Sequence, residues 1–364
     1  MYEYRPRVAD GELADKMRAI GAILIEGPKA CGKSETAKQV AKTVYEFDKD
    51  DVARSAVALD PDSLFAGLTP ILFDEWQLEP SIWNRVRRRV DDRHSRGDFI
   101  LTGSARPRDD ATRHSGAGRI GVLRMRPMSL FESGHSNGEV SFSALLNGER
   151  QTGPGTHLSF EELLRRIVIG GWPEIIDYDE DDARRWLRGY LDQIVETDIP
   201  LMGHRRNPRN LTRLFASLAR NVGQAVKLSE IAGDVGGETG PIAHETITGY
   251  LDTLERLRLT EDAPARRPHM RSKTPLRTAE VRYFVDPSLG PAALGIGSSE
   301  LRADPRATGF HFEALVMRDL RILAQPHYGT VESPARQEWQ RSRRHRQHQP
   351  QHVGCLRGQA QPTR

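Results

Sequence analysis

The sequence predicts an α/β fold for residues 1–150, a mainly parallel sheet sandwiched between helices, and three observations carry the prediction. Three short runs, Ala22-Ile23-Leu24-Ile25-Glu26, Ile71-Leu72-Phe73 and Phe99-Ile100-Leu101, are continuously apolar rather than alternating, the pattern of strands covered on both faces. Helix-spaced segments lie between them, and strand–helix alternation closes most simply into right-handed units of a parallel sheet. The first and second runs also break at their carboxyl ends into residues with chemistry to perform.

The first run enters Gly27-Pro28-Lys29-Ala30-Cys31-Gly32-Lys33-Ser34, which fits the phosphate-loop pattern G-x-x-x-x-G-K-S without a mismatch. Glycines let successive backbone N–H groups turn inward around a phosphate, and the helix start behind them adds its positive end. All eight residues are therefore candidates to hold ATP, with Lys33 reaching the β- and γ-phosphates and Ser34 offering its hydroxyl to Mg²⁺. A helix is expected to follow through Ala37, Val40, Ala41 and Val44.

The second run ends in Asp74-Glu75-Trp76 and precedes a helix whose face carries Ile82, Trp83, Val86 and Val90. In a parallel sheet its carboxyl end shares an edge with the loop, so Asp74 is placed to support the metal and Glu75 to activate water. The alternative is a pair of solvated acids starting a helix. At the end of the third run, Thr102 and Ser104 are read either as groups sensing the γ-phosphate or as strand-end caps. Arg119, Arg124 and Arg126 follow in a Gly-rich stretch. Any of them, Arg119 first, is a candidate to neutralise charge on the transferred phosphoryl group, in cis or from a neighbouring subunit, against the plainer reading of surface arginine.

Beyond residue 150 the pattern turns helical. Residues 151–205 read as a helical linker through Leu163, Leu164, Ile167 and Val168 to the turn Gly170-Gly171-Trp172-Pro173. Residues 206–290 carry helices through Leu211, Leu214 and Leu218, through Leu228 to Ala232, and through Ile247, Tyr250, Leu251, Leu254 and Leu257. The strand Val281-Arg282-Tyr283-Phe284-Val285 follows, an order that suggests a winged helix. DNA is a candidate partner through the helix around His244-Glu245-Thr246-Ile247. Glu245, Asp252 and Glu255, with Arg256 and Arg258 only at its far end, favour a structural or protein-binding role instead. Residues 291–332 are expected to begin a further domain with an amphipathic helix, Phe312 to Leu323, whose apolar face is Phe312, Leu315, Val316 and Leu320.

From Ser333 to Arg364 the chain turns to Arg, Gln, His and Pro, a composition that cannot offset the entropy of ordering, and a disordered basic tail is expected. That tail holds seven Arg against Glu338, a local net of +6 that leaves the rest of the chain at −3, so the overall +3 says little about nucleic-acid binding by the folded body. No apolar stretch approaches the roughly eighteen residues of a membrane span, and Met1-Tyr2-Glu3-Tyr4 lacks the opening of a secretory signal, so a cytoplasmic protein is expected. Two cysteines, Cys31 and Cys355, make neither a disulfide framework nor a metal spacing, and the histidines show no ligand pattern.

On these residues the chain resembles a bacterial and archaeal family of ATP-binding proteins. Its members have an AAA-type N-terminal domain, a winged-helix middle and a C-terminal domain of unknown function with a restriction-endonuclease-like fold. The resemblance is carried by Glu26–Ser34, Leu72–Gln77, Phe99–Ser104, His114–Arg119, Met125–Glu132, Gly170–Pro173, Phe284–Ser288 and Phe312-Glu313, and it covers residues 20 to about 332. It implies an AAA-like P-loop NTPase with ATP and Mg²⁺ as cofactors. The activity expected is a Mg²⁺-dependent ATPase that couples hydrolysis to conformational change. The alternative is a nucleotide-gated switch that binds DNA or protein with little hydrolysis, and a second copy of the chain is a further candidate partner. After Glu332 the strands and the Glu-x-Lys-like motif of the family's nuclease-like domain are missing, which points to a truncated or frame-shifted C-terminus and argues against nuclease activity.

Overall fold

The computed structural model of the chain describes residues 3–103, 115–153, 155, 158–201, 207–264, 281–333 and 355–357. It divides into two compact units, one of Met1–Pro127 with Arg256–Arg258 and one of Met128–Glu255 with Leu259–Arg364. The first boundary falls at Pro127, ahead of the division expected near residue 150.

The first unit opens with α1 (Val8–Ala19) and continues through β1 (Ala22–Glu26), α2 (Lys33–Lys38), β2 (Thr43–Glu46), α3 (Asp51–Leu59), β3 (Ile71–Asp74), α4 (Ser81–Arg93), β4 (Phe99–Gly103) and β5 (Ile120–Arg124). The strands form one five-stranded parallel sheet in the order β2-β3-β4-β1-β5. β1, β3 and β4 are buried at every position, as their unbroken apolar runs require. Phe47, Phe65, Phe73 and Phe99 pack together on the sheet, with Trp76 and Trp83 of the following segment 5.1 Å apart, and they form the core with Ile82 and Val86.

Two strands escaped the sequence. The helix expected through Val44 stops at Lys38, and Thr43–Glu46 instead pairs with Ile71–Asp74 as an edge strand. Val40 and Val44 are 36% and 38% exposed, so neither lies on a buried helical face. A run of Thr, Val and Tyr suits a pleated edge better than a helix, and the ladder with β3 decides the matter. β5 is an edge strand of mixed composition, Ile120-Gly121-Val122-Leu123-Arg124, with only Leu123 buried, and neither an apolar run nor an alternation marks it.

The second unit is mostly helical. Its elements are α5 (Phe142–Leu146), α6 (Phe160–Ile169), α7 (Glu180–Gln193) and a π-helical turn into α8 (Ile199–Leu201), then α9 (Pro208–Arg220), α10 (Leu228–Gly236) and α11 (His244–Arg256). Strands β6 (Thr260–Ala263) and β7 (Val281–Phe284) follow, then α12 (Leu289–Leu294), α13 (Ser298–Ala303), α14 (Pro305–Ala324), β8 (Thr330–Glu332) and β9 (Cys355–Arg357). Helix starts are set locally. Ser159, Asp179 and Asn207 each accept a backbone N–H of the first turn of α6, α7 and α9. β6 and β7 pair antiparallel, Thr260 against Phe284.

α14 differs from its expected form. It begins at Pro305, with Asp304 capping Arg306 and Ala307, and its buried face is His311, Ala314, Leu315, Met317, Arg318, Arg321 and Ile322. Of the stripe expected from Phe312, Leu315, Val316 and Leu320, Leu315 is buried but Phe312 is 40% exposed. The stripe was misplaced because the helix buries two arginines, which hydropathy assigns to solvent. Leu315 packs with Leu164, Ile167, Val168 and Leu301. Within the basic tail, Cys355–Arg357 pairs antiparallel with Thr330–Glu332, and the remainder from 334 lies outside the described residues. No described helix is long and apolar enough to cross a membrane.

Candidate functional site

Because all five strands are parallel, their carboxyl ends share one edge, and the Gly27–Ser34 loop leaves β1 on that edge. The loop is tightly wound. Ala30 and Gly32 both have left-handed backbone, φ 60° and 99°, and for an alanine that conformation costs roughly 1–2 kcal/mol. Strain of this kind persists where the surroundings impose it, and left-handed positions in a loop are what allow successive N–H groups to gather around an anion. At Gly27 a Cβ would fall 2.4 Å from the Met125 carbonyl oxygen, so the loop can lie against the chain leaving β5 only without a side chain there.

Lys33 is 5% exposed, and its Nζ donates to the Pro28 carbonyl oxygen at 2.8 Å, which holds the ammonium across the loop. Ser34 Oγ donates to Asp74 Oδ1 at 2.7 Å, and Thr102 Oγ1 donates to the same oxygen. β4 lies between β1 and β3, so three segments distant in sequence meet on one carboxylate. Thr102 is fully buried and holds Asp74. Ser34 and Asp74 are hard oxygen donors of the kind Mg²⁺ accepts, with phosphate and water oxygens completing such a shell. Among the described residues no cluster of three or more His, Cys, Asp or Glu is placed to hold a metal ion.

Glu75 sits where β3 ends, with φ 52°, and accepts a hydrogen bond from Gln77 Nε2. Burial pushes its carboxyl above the ordinary glutamate range, only partly opposed by the nearby Lys33 and by Gln77. Gln77 in turn crowds Gly103 at the end of β4, where a Cβ would lie 2.5 Å from its Oε1.

Arg119 is not brought to this edge. Its carbonyl accepts from Ala22 N at 3.1 Å, at the amino end of β1, and its Nε pairs with Asp91 at 2.7 Å. Five residues at about 3.3 Å each separate it from the carboxyl edge, about 16 Å, which is too far for a phosphoryl contact within its own chain. Arg124 lies in register with Glu26 at the end of β1, and Arg126 is buried two residues beyond β5. Ser104 lies outside the described residues.

One side chain that the sequence reading passed over holds the loop. Arg7 is buried and donates to the Cys31 carbonyl at 2.9 Å and to the Arg126 carbonyl at 2.7 Å, tying the loop to the chain beyond β5. Beside it Tyr4 OH donates to Asp10 at 2.6 Å and lies 2.9 Å from Thr36 of α2. Nothing in local spacing marks either residue, because both contacts are made across the fold.

The remaining motifs form a second buried network inside the second unit. Asp286 accepts from Gly171 N at 3.0 Å, Ser288 Oγ at 2.6 Å and Arg318 NH1 at 2.9 Å. Ser288 Oγ accepts from Trp172 Nε1 at 3.0 Å. Arg318 also binds Asp319, which takes the Leu130 N–H at 3.0 Å. A Cβ on Gly171 would lie 2.0 Å from the Met128 carbonyl oxygen. The Gly170–Pro173 turn, the Asp286–Ser288 turn, α14 and the Met128–Glu132 segment are thus bound to one another by fully satisfied polar groups, a structural role.

Residues 20–133 match a family described as an AAA domain, and residues 160–300 match a domain of unknown function, DUF8612. The N-terminal part of the chain has the parallel α/β fold of a P-loop NTPase, and its sequence is similar to AAA domains. An uncharacterized protein of Haemophilus influenzae is 29% identical over 204 residues, 54% of this chain and 46% of its own length. The chain therefore spans about half the length of the curated relative it matches. A Walker-type ATPase of Pyrococcus abyssi superposes with a TM-score of 0.46 at 11% identity, covering 80% of this chain and 99% of that one. The DUF8612 match spans the stretch read from sequence as helical linker and winged helix.

Proposed function

We propose that the chain binds Mg²⁺-ATP at residues 27–34 and hydrolyses it slowly, coupling the reaction to rearrangement of its helical part. The observation that carries this reading is the meeting of Ser34, Asp74 and Thr102 on one carboxylate oxygen beside the buried Lys33 ammonium. Mg²⁺ would be held by Ser34 and Asp74 and, when bound, would supply Lewis-acid charge stabilisation to the nucleotide phosphates. Lys33, now on the Pro28 carbonyl, would hold phosphate oxygens, Ser34 and Asp74 would offer their oxygens to the cation, and Thr102 would keep Asp74 oriented. Glu75, in its ionised form, accepts a hydrogen bond from water and takes its proton as the water oxygen bonds to the γ-phosphorus and the bridging P–O bond breaks, releasing ADP and phosphate. Its half-buried position, with Gln77 bound to one oxygen, fixes the direction in which the other points.

Phosphate release by purified protein tests the reading: turnover in wild type, and none above background in Lys33→Ala or Glu75→Gln. A second reading, a nucleotide-gated switch, is favoured by one feature. α9, α10 and α11 followed by the β6–β7 hairpin have the order of a winged helix, a module that binds DNA or protein. Glu245 in the first turn of α11 supports a protein rather than a DNA partner. No phosphate release above Glu75→Gln, together with ATP-dependent partner binding, selects the switch.

A further inference from the structure

β1 ends in a charge. Glu26 is 4% exposed, lies in register with Gly103 and Arg124 on its two neighbours, and immediately precedes Gly27. A carboxylate there stands behind a loop whose converging N–H groups and lysine suit anions, and its field opposes a triphosphate unless a cation offsets it. That cation comes from far along the chain. Arg258, 232 residues further along the chain, places its NH2 2.5 Å from Glu26 Oε1 and is 8% exposed. It occupies the turn after α11 with φ 59°, a conformation that a non-glycine residue adopts at a cost, and Arg256–Arg258 groups with the first unit although the chain on either side does not. A buried ion pair contributes little net stability compared with a well-packed apolar pair, so stability alone does not account for one beside an anion loop.

We infer that Arg258 is a positioning residue for the phosphate loop. It cancels the Glu26 carboxylate, so that nucleotide affinity at residues 27–34 depends on the seating of residues 256–258. By linkage, nucleotide bound at the loop holds that segment in place by the same free energy. The inference rests on the nucleotide reading above.

Calorimetric titration of the full chain with ATP in magnesium buffer tests it, using wild type, Arg258→Met, Glu26→Gln and the double variant, with circular dichroism to verify folding. Arg258→Met weakens ATP by about tenfold or more, and adding Glu26→Gln restores affinity to within about threefold of wild type. A folded Arg258→Met that binds like wild type, or a double variant as weak as the single, overturns the proposal. Should Arg258→Met not fold, Glu26→Gln decides. Binding equal to or tighter than wild type supports the charge argument, and a loss of about tenfold overturns it. A folded wild type that gives no heat with ATP removes the nucleotide reading and this inference together, whereas a binding wild type with indifferent variants removes only the role of Arg258.

Discussion

Lys33 holds the charge on which the site depends, buried and satisfied by a loop carbonyl. Lys33→Ala leaves that carbonyl in place but takes the cation away, and ATP affinity measured by calorimetry falls at least about tenfold. Unchanged affinity contradicts the site. Glu75→Gln keeps the shape and removes the proposed base, so the expected outcome is that ATP still binds while phosphate release stops. Burial raises the Glu75 carboxyl above the ordinary glutamate range. A base works only when ionised, so the acid limb of the rate profile lies above that range and disappears with the variant. A rate independent of pH through the acid range speaks against Glu75 as the base. The motif residues were legible because a phosphate loop is local, eight residues in a row doing one job. Arg7 and Gln77 were not, because what they hold comes from the folded arrangement around them.

The elements explain why two glycines in succession matter at Gly170-Gly171. Gly170 has φ 79° and its Cβ would lie 2.3 Å from Asp286 Oδ1, while Gly171 lies against the Met128 carbonyl. Gly171→Ala must push the Met128 segment away from α6, and a clear fall in melting temperature is expected by calorimetry, with no change meaning that the turn tolerates displacement. Arg318→Met is the sharper test, because Asp286 is wholly buried and loses its cation. The cost is about 3–5 kcal/mol in denaturant unfolding, and a loss below about 1 kcal/mol contradicts the network. α14 shows why hydropathy misplaced its face. Phe312 is exposed while Arg318 and Arg321 are buried, and only the acids that meet them make this tolerable. β2 and β5 were missed for a related reason, since an edge strand is recognised by its partner and not by its own composition.

The pH response of the whole molecule is set in part by His311 of α14. It is 2% exposed against Gly290, and burial pushes its pKa down to about 4. The unfolded chain, with an ordinary histidine, binds the proton more readily, so this group destabilises the fold as pH falls from about 6.5 toward 4. Relative to His311→Gln, wild type loses about 2 kcal/mol between about pH 7.5 and pH 5, read from denaturant midpoints, and parallel curves contradict the assignment. Sequence alone determined the phosphate loop, the three buried strands, the acidic strand end and the helical character beyond residue 150, because periodicity and glycine spacing are properties of neighbours. Tertiary structure decided the strand order that brings Thr102 to Asp74, the removal of Arg119 to the far edge, and the burial of Arg7, Arg258 and Arg318. Those depend on which distant carbonyl or carboxylate meets each group, and a chain read one residue at a time carries no record of that meeting.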